Sequence, residues 1–233
     1  MSQVATFMPA VRRHTDAQRD QPLPRLARRM PDGSEDHNAA EQELDLRQLR
    51  HHTKNALQRI IAVFAEAPGI GDTPQGERIV QELEHRIGLS ATISDALFGL
   101  TNAPGPMAER LRQLAGAVVD MMRHSDQVIR VGISIRGYCP VNLREAVLRS
   151  AHELISNAVK HGMKGRPAGR IAVRLVSDDR RTTLTVLDNG WGFAGKLRAG
   201  EGLALARGLA ARHDGSLAMD GDDGTVATLA LPH

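Results

Sequence analysis

The stretch AHELISNAVKHG, Ala151 to Gly162, decides how the rest of the chain is read. Its apolar residues recur at helical spacing, and a helix is predicted from about Asn142 to His161. On that helix Glu153, Asn157 and Lys160 stand at i, i+4 and i+7 and share a narrow polar wedge. Val147, Leu148, Ala151, Leu154, Ile155 and Ala158 face elsewhere, towards a sheet. A polar helix face carrying a Glu–Lys pair is common on any amphipathic helix. A carboxylate, an amide oxygen and an ammonium on one face also suit a hydrated Mg²⁺ held against phosphates, because Mg²⁺ keeps waters and shares oxygen ligands with a substrate.

Downstream, the run LDNGWGF (Leu187 to Phe193) closes a predicted strand at Asp188 and enters a turn. Gly190 and Gly192 there let the backbone approach a ligand. The segment AGEGLALARGLAARHDGSL (Ala199 to Leu217) opens a helix, predicted from Gly202 to His213, at Gly200 and Gly202. The first N–H groups of such a helix are a ready site for phosphate. Either glycine pair could serve as a plain turn; joined to the wedge at these intervals, they are more than a chance arrangement. Around them lie a helix, Met107 to Arg123, and a strand with Ile129, Val131, Ile133 and Ile135 alternating with polar or small residues. Further strands are predicted at Ile171 to Val176, Thr183 to Asp188, Ser216 to Met219 and Thr225 to Leu231. Helices on one face of a mostly antiparallel sheet make this part, residues 104–233, an α+β sandwich.

Upstream, residues 39–103 form a helical hairpin. The first stripe is Leu46, Leu49, Ala56, Leu57, Ile60, Val63 and Phe64; the second, ending near Leu100, is Ile79, Leu83, Ile87, Ala91, Ser94 and Leu97. The run Pro68 to Pro74 breaks the two helices apart. Two helices bury little by themselves, so a homodimeric four-helix bundle is expected. In LRHHTKNALQRI (Leu49 to Ile60) His51 falls opposite the apolar stripe, on the solvent side. An exposed helical histidine is ordinarily just surface. Neutral imidazole is nonetheless a competent nucleophile near pH 7, and Lys54 could attract a phosphoryl group.

Residues 1–38 read as a disordered charged tail: six Arg against two Asp over Met1 to Met30, with prolines scattered through. The chain has 233 residues, 41% hydrophobic and 24% charged, which excludes wholesale disorder. Aromatics are 3%, too few for a base-stacking platform, and a net charge of +3 is too mild to imply a nucleic-acid partner. The lone Cys139 excludes a disulfide framework. No apolar run approaches the roughly 20 residues of a membrane span, and a cytoplasmic location is expected.

The order H-x-x-K-N, helical N-box, DNGxG and GxGL resembles a two-component sensor histidine kinase. Its His box is most similar to the HRVKN type of the HWE and related subgroups. Residues Met107 to His233 resemble the ATP-binding fold shared by those kinases, type II topoisomerases, the heat-shock chaperone of about 90 kDa and the anti-sigma serine kinases. The resemblance implies ATP and Mg²⁺ as cofactors and His51 as phospho-acceptor, with Lys54 beside it. It implies that Asp188 accepts from the adenine amino group, that Asn157 and Glu153 serve the metal, and that Glu153 also helps to manage a proton. Lys160 and His161 would touch phosphate oxygens, and Gly190, Gly192, Gly200, Gly202 and Leu203 would shape the nucleotide loop. The implied partners are a second copy, a response-regulator receiver domain and a separate sensor or regulatory protein. The chain departs from the pattern in a short segment between Phe193 and Glu201 and in Glu201 itself, an acid expected to repel triphosphate. Those departures favour the alternative of a non-catalytic histidine phosphotransfer protein with a degenerate ATP fold. A serine kinase or anti-sigma binder is a third reading, disfavoured by the place of His51.

Overall fold

The computed structural model of the chain describes residues 55–67, 73–98, 106–193 and 200–233. The tail, His51, Lys54 and the segment 194–199 lie outside the described residues. Helix α1 covers residues 55–66, and α2 is Pro74–Phe98. Next along the chain come α3 (Met107–Met122), β1 (Val128–Arg136), α4 (Val141–Asn157), a π-helical turn (Ala158–Gly162), β2 (Ala168–Ser177), β3 (Arg181–Asp188), α5 (Glu201–Ala211), β4 (Ser216–Asp220) and β5 (Thr225–Pro232). This is an α+β fold with a mixed sheet.

The sheet has the order β1-β2-β3-β5-β4. Only β1 and β2 run parallel, with Arg130 beside Arg170 and Arg136 beside Val176. A parallel pair needs a long crossover, and α4 with its π turn supplies it. The other three pairings are antiparallel. Alternation along each strand separates two faces. Ile171, Val173, Leu175, Leu184, Val186, Ala227, Leu229 and Leu231 point inward and are buried. The opposite face is open to solvent along β1 and β2.

Helices cover the inner face because their apolar residues recur at helical intervals. On α3, Met107, Leu111, Leu114, Ala115 and Val118 are buried; on α4, Leu143, Val147, Leu148, Ala151, Leu154 and Ile155. Together with the inward strand residues they form one core. Helix α2 runs antiparallel to α3. Arg110, near the start of α3, donates to the carbonyls of Ala96 (3.0 Å) and Leu97 (3.2 Å) at the end of α2. Arg86 of α2 reaches the Met121 carbonyl at the end of α3 (3.3 Å). Both guanidiniums satisfy carbonyls that a helix end leaves unpaired. Residues Gln58 and Ile61 of α1 share a groove with Glu84 and Ile87 of α2.

Among the described residues the hairpin's expected stripe is covered only in part: Ile87, Ala91, Ser94 and Leu97 of α2 are half-buried, but the rest is open. Leu57, Ile60, Val63 and Phe64 of α1 and Ile79 and Leu83 of α2 are all exposed, while Ile61 is buried. Among the described residues no helix is long and apolar enough to cross a membrane.

The helix predicted to end at His161 stops regular winding four residues earlier. The N–H of Met163 bonds the Ala158 carbonyl at 3.0 Å, an i→i+5 closure that widens the last turn. A buried side chain from outside the helix holds the loop from Met163 to Arg166. Gln127 Nε2 donates to the carbonyls of Met163 and Arg166, both at 2.8 Å, and Gln127 Oε1 accepts from the His124 N–H at 3.0 Å.

Candidate functional site

Strand β3 turns Thr182, Leu184 and Val186 inward, and at its last position the inward residue is Asp188. This residue is 8% exposed. Burial disfavours the charged form and raises its pKa above the usual carboxylate value. Hydrogen bonds from the N–H of Gly190 and from the backbone and side chain of Thr225, with the charge of Arg166, oppose that rise and do not cancel it. The Gly190 N–H lies 2.8 Å from Asp188 Oδ1. Thr225 is the register partner of Asp188 on β5.

A cleft of about 200 Å³ opens above this carboxylate. From the helical layer come Leu154, Asn157, Ala158, His161 and Gly162; from the far side come Gly200, Gly202 and Leu203. Val186, Met219 and Ala227 make an apolar wall beside Asp188. A flat ring can lie on such a wall with one polar edge against the acid.

Two close approaches depend on glycine. A Cβ on Gly162 would stand 2.7 Å from Asp188 Oδ1, so only glycine leaves the carboxylate its position. Gly192 has φ of 64°, in the left-handed region, and its backbone lies against the Gly221 carbonyl. The N–H of Phe193 donates to that same carbonyl at 3.1 Å. Asn189 ties the turn to the sheet: its Oδ1 accepts from the Arg170 N–H at 2.7 Å.

Helix α5 begins with Gly200 at the N-cap, which offers no side-chain cap to the first N–H groups. Gly200 and Gly202 line the cleft, so this helix end borders it and is compatible with phosphate. The carboxylate that approaches this end is Glu153, from α4. A Cβ on Gly202 would collide with Glu153 Oε2, while Glu153 Oε1 pairs with His152 Nδ1 at 3.0 Å. Glu201, the acid expected to face a triphosphate, is exposed and does not line the cleft. An acid in the first turn of a helix is favourable for the helix itself.

The structure therefore brings Asn157, His161, Asp188, Gly192, Gly200, Gly202 and Leu203 to one cleft. Glu153 stands at its rim. Gly190 buttresses it from behind, packed on the Gly162 backbone. Lys160 is exposed and does not line the cleft. The π turn is the cause: each residue of a wider turn advances through a smaller angle, so His161 comes to the wedge and Lys160 leaves it. Trp191 is also outside the cleft. It is 68% exposed, donates from Nε1 to the Lys164 carbonyl at 2.9 Å, and lies under Arg166 at 5.2 Å. Gly162, Thr225 and Gln127 were not singled out from the sequence. Gly162 ends the quoted helix motif and could have been; the other two act through pairings made only in three dimensions.

The residues present fit a nucleotide: a buried acceptor, an apolar wall and an uncapped helix end in one cleft. Among the described residues no three His, Cys, Asp or Glu side chains converge. A divalent ion here would draw at most Asn157 and Glu153 from the chain and the rest from phosphates and water, the manner of Mg²⁺.

Comparison with known proteins agrees with this geometry. Residues 143–233 match the family model described as histidine kinase-, DNA gyrase B- and HSP90-like ATPase. The fold is similar to the histidine kinase domain of the Erythrobacter litoralis EL346 blue-light activated histidine kinase, at 20% identity over 84% of this chain and 94% of that one, with a TM-score of 0.53. A second structure of the Erythrobacter litoralis EL346 kinase gives 17% identity over 79% of this chain and 59% of that one, with a TM-score of 0.51. No curated protein matches the chain. Residues 143–233 thus have an α+β fold like that of histidine kinase ATPase domains.

Proposed function

We propose that the chain is an ATP-dependent protein-histidine kinase, with His51 as the phospho-acceptor and an aspartate of a response-regulator receiver domain as the onward acceptor. The observation that carries this reading is the buried Asp188 carboxylate at the floor of a cleft that ends at the uncapped α5 terminus. An adenine amino group donates to such a carboxylate; a guanine would present a carbonyl there, acceptor against acceptor. The match of residues 143–233 to the ATPase family supports the same reading. The HWE-like assignment of the His box belongs to this proposal too.

ATP supplies the γ-phosphoryl group. Asp188 and the apolar wall hold the base, and the N–H groups after Gly200 hold phosphate oxygens. His161 lines the cleft on the side where charge is to be neutralised, and Lys160 lies one residue outside it. Asn157 and Glu153 would hold Mg²⁺ between them. The nitrogen lone pair of His51 forms the N–P bond while the bond from the γ-phosphorus to the bridging oxygen breaks, and that electron pair leaves with ADP. The ring proton passes to a carboxylate, the role assigned in this reading to Glu153, or to water. Such transfer depends chiefly on positioning and charge neutralisation.

Incubation with γ-labelled ATP and Mg²⁺ tests the reading. The expected label is stable in base and lost in acid, absent from His51→Gln and retained in His52→Gln, with ATP binding intact in both. An acid-stable label would move the protein to the serine kinases.

A further inference from the structure

The open face of the sheet, on the side away from the cleft, carries a feature that nucleotide chemistry does not use. Strand β1 presents Arg130, Gly132 and Arg136 outward, and β2 presents Arg170, Ala172 and Arg174; all six are exposed. By register Arg130 stands directly beside Arg170, and Gly132 beside Ala172. Like charges in directly adjacent positions destabilise a sheet. Among the described residues none of the four guanidiniums has an ion-pair partner or a side-chain hydrogen bond. The acid sharing their face by register, Asp220, stands on β4, three strands from β2.

Charge on an edge strand by itself guards against strand-to-strand aggregation, which accounts for Arg130 and Arg136 on β1. It does not account for Arg170 and Arg174, because β2 is paired on both sides and needs no guard. Gly132 is equally unexplained from within. A glycine inside a strand weakens it, and its usual reasons are a bulge, a bend or the close approach of another backbone or ligand. The β1–β2 register is unbroken through it, its φ is not positive, and a Cβ there would meet nothing within 4 Å. Close approach of something outside the described chain is what remains.

We propose that this face is a docking surface for an acidic segment of another protein, seated in the trough over Gly132 and Ala172, between the adjacent Arg130 and Arg170 on one side and the offset Arg174 and Arg136 on the other. Arg170 and Arg174 lie about 13 Å apart along β2, at roughly 3.3 Å per residue. Guanidinium forks match carboxylates two bonds at a time. No aromatic side chain stands on β1 or β2, so the face lacks the stacking platform of a single-strand nucleic-acid site.

The test uses the full chain and a short fluorescent oligoglutamate peptide, read by anisotropy at low and at physiological salt. Arg170→Gln with Arg174→Gln should weaken the peptide about tenfold. Arg112→Gln with Arg149→Gln removes the same charge from the helical side and should change it by less than about twofold. Gly132→Val should keep or raise the melting temperature, because valine suits a strand, and should still weaken the peptide several-fold. ATP affinity should be unchanged in all three variants. Failure of the peptide to bind the wild type would overturn the proposal, as would equal losses in the two double variants or unaltered binding in Gly132→Val. Tighter binding of duplex DNA or of phosphatidylserine vesicles than of the peptide would also overturn it, in favour of a phosphate-bearing partner.

Discussion

Asp188 holds its proton more tightly in the fold than in the unfolded chain, because burial outweighs the hydrogen bonds from Gly190 and Thr225. Between the unfolded and the raised folded pKa the native state binds more protons. Its stability contribution is therefore full below the unfolded value and is lost as pH rises through the folded one. A ligand that donates to the carboxylate favours the charged form and reverses that preference. Adenosine affinity should accordingly fall as pH drops below the raised pKa, and Asp188→Asn should abolish the pH slope. Calorimetric titration with adenosine, which carries no phosphates, checks this directly; an unchanged slope in the variant would take Asp188 out of the site. Gly162→Ala belongs to the same contact. Its Cβ, 2.7 Å from Oδ1, forces the carboxylate to turn. At about 1–3 kcal/mol for a disturbed buried hydrogen bond, adenosine should weaken roughly tenfold or more, with the fold retained by circular dichroism.

At the scale of elements, the sequence discloses the patterns that repeat locally. The alternation of Ile129, Val131, Ile133 and Ile135 predicts β1, and the spacing of Val147, Ala151 and Leu154 gives α4 and its buried face, since periods of 2 and 3.6 are written in neighbouring residues. The π turn was not legible. Nothing in AVKHG breaks a helix before Gly162, and the loop that follows the wider turn is held by Gln127, more than thirty residues earlier in the chain. Strand order was equally hidden, because the pairing of Asp188 with Thr225 is fixed by tertiary contact and not by spacing. So Asn157 and Asp188, named from their motifs, line the cleft, whereas Lys160, which helical spacing puts on the wedge, lies outside it and His161 lines it. The joint between α2 and α3 is another such contact. Arg110→Ala leaves the Ala96 and Leu97 carbonyls to other partners and should cost about 1–3 kcal/mol. Hydrogen exchange should show the end of α2 opening faster, with β3 and β5 protected as before. Uniform loss of protection would mean that Arg110 supports the whole core instead of the joint.

At the scale of the molecule, the uncovered apolar side chains bear on assembly. Ile60 is 53% exposed and Val63 68% on α1, with Ile79 at 51% on α2. These residues lie on the expected stripes, and a second copy presenting the same surface would bury them in a four-helix bundle. Burying one such side chain contributes about 1.5–3 kcal/mol, and a twofold interface counts every position twice. Ile60→Glu replaces that gain with an unpaired charge in an apolar seam. The dimer should therefore weaken by at least about 3 kcal/mol, more than a hundredfold in its dissociation constant. Leu83→Glu should act in the same direction. Val141 is comparably apolar and 67% exposed, but it begins α4 and lies on neither expected stripe, so Val141→Glu serves as the control. Light scattering at micromolar concentration should give a dimer mass for the wild type and for Val141→Glu, and a monomer for the two hairpin variants. ATP binding should persist in all of them, because the cleft is built from α4, α5 and the sheet. A monomeric wild type would leave the exposed stripe to a different partner, and a dimer that survives both hairpin charges would place the interface elsewhere.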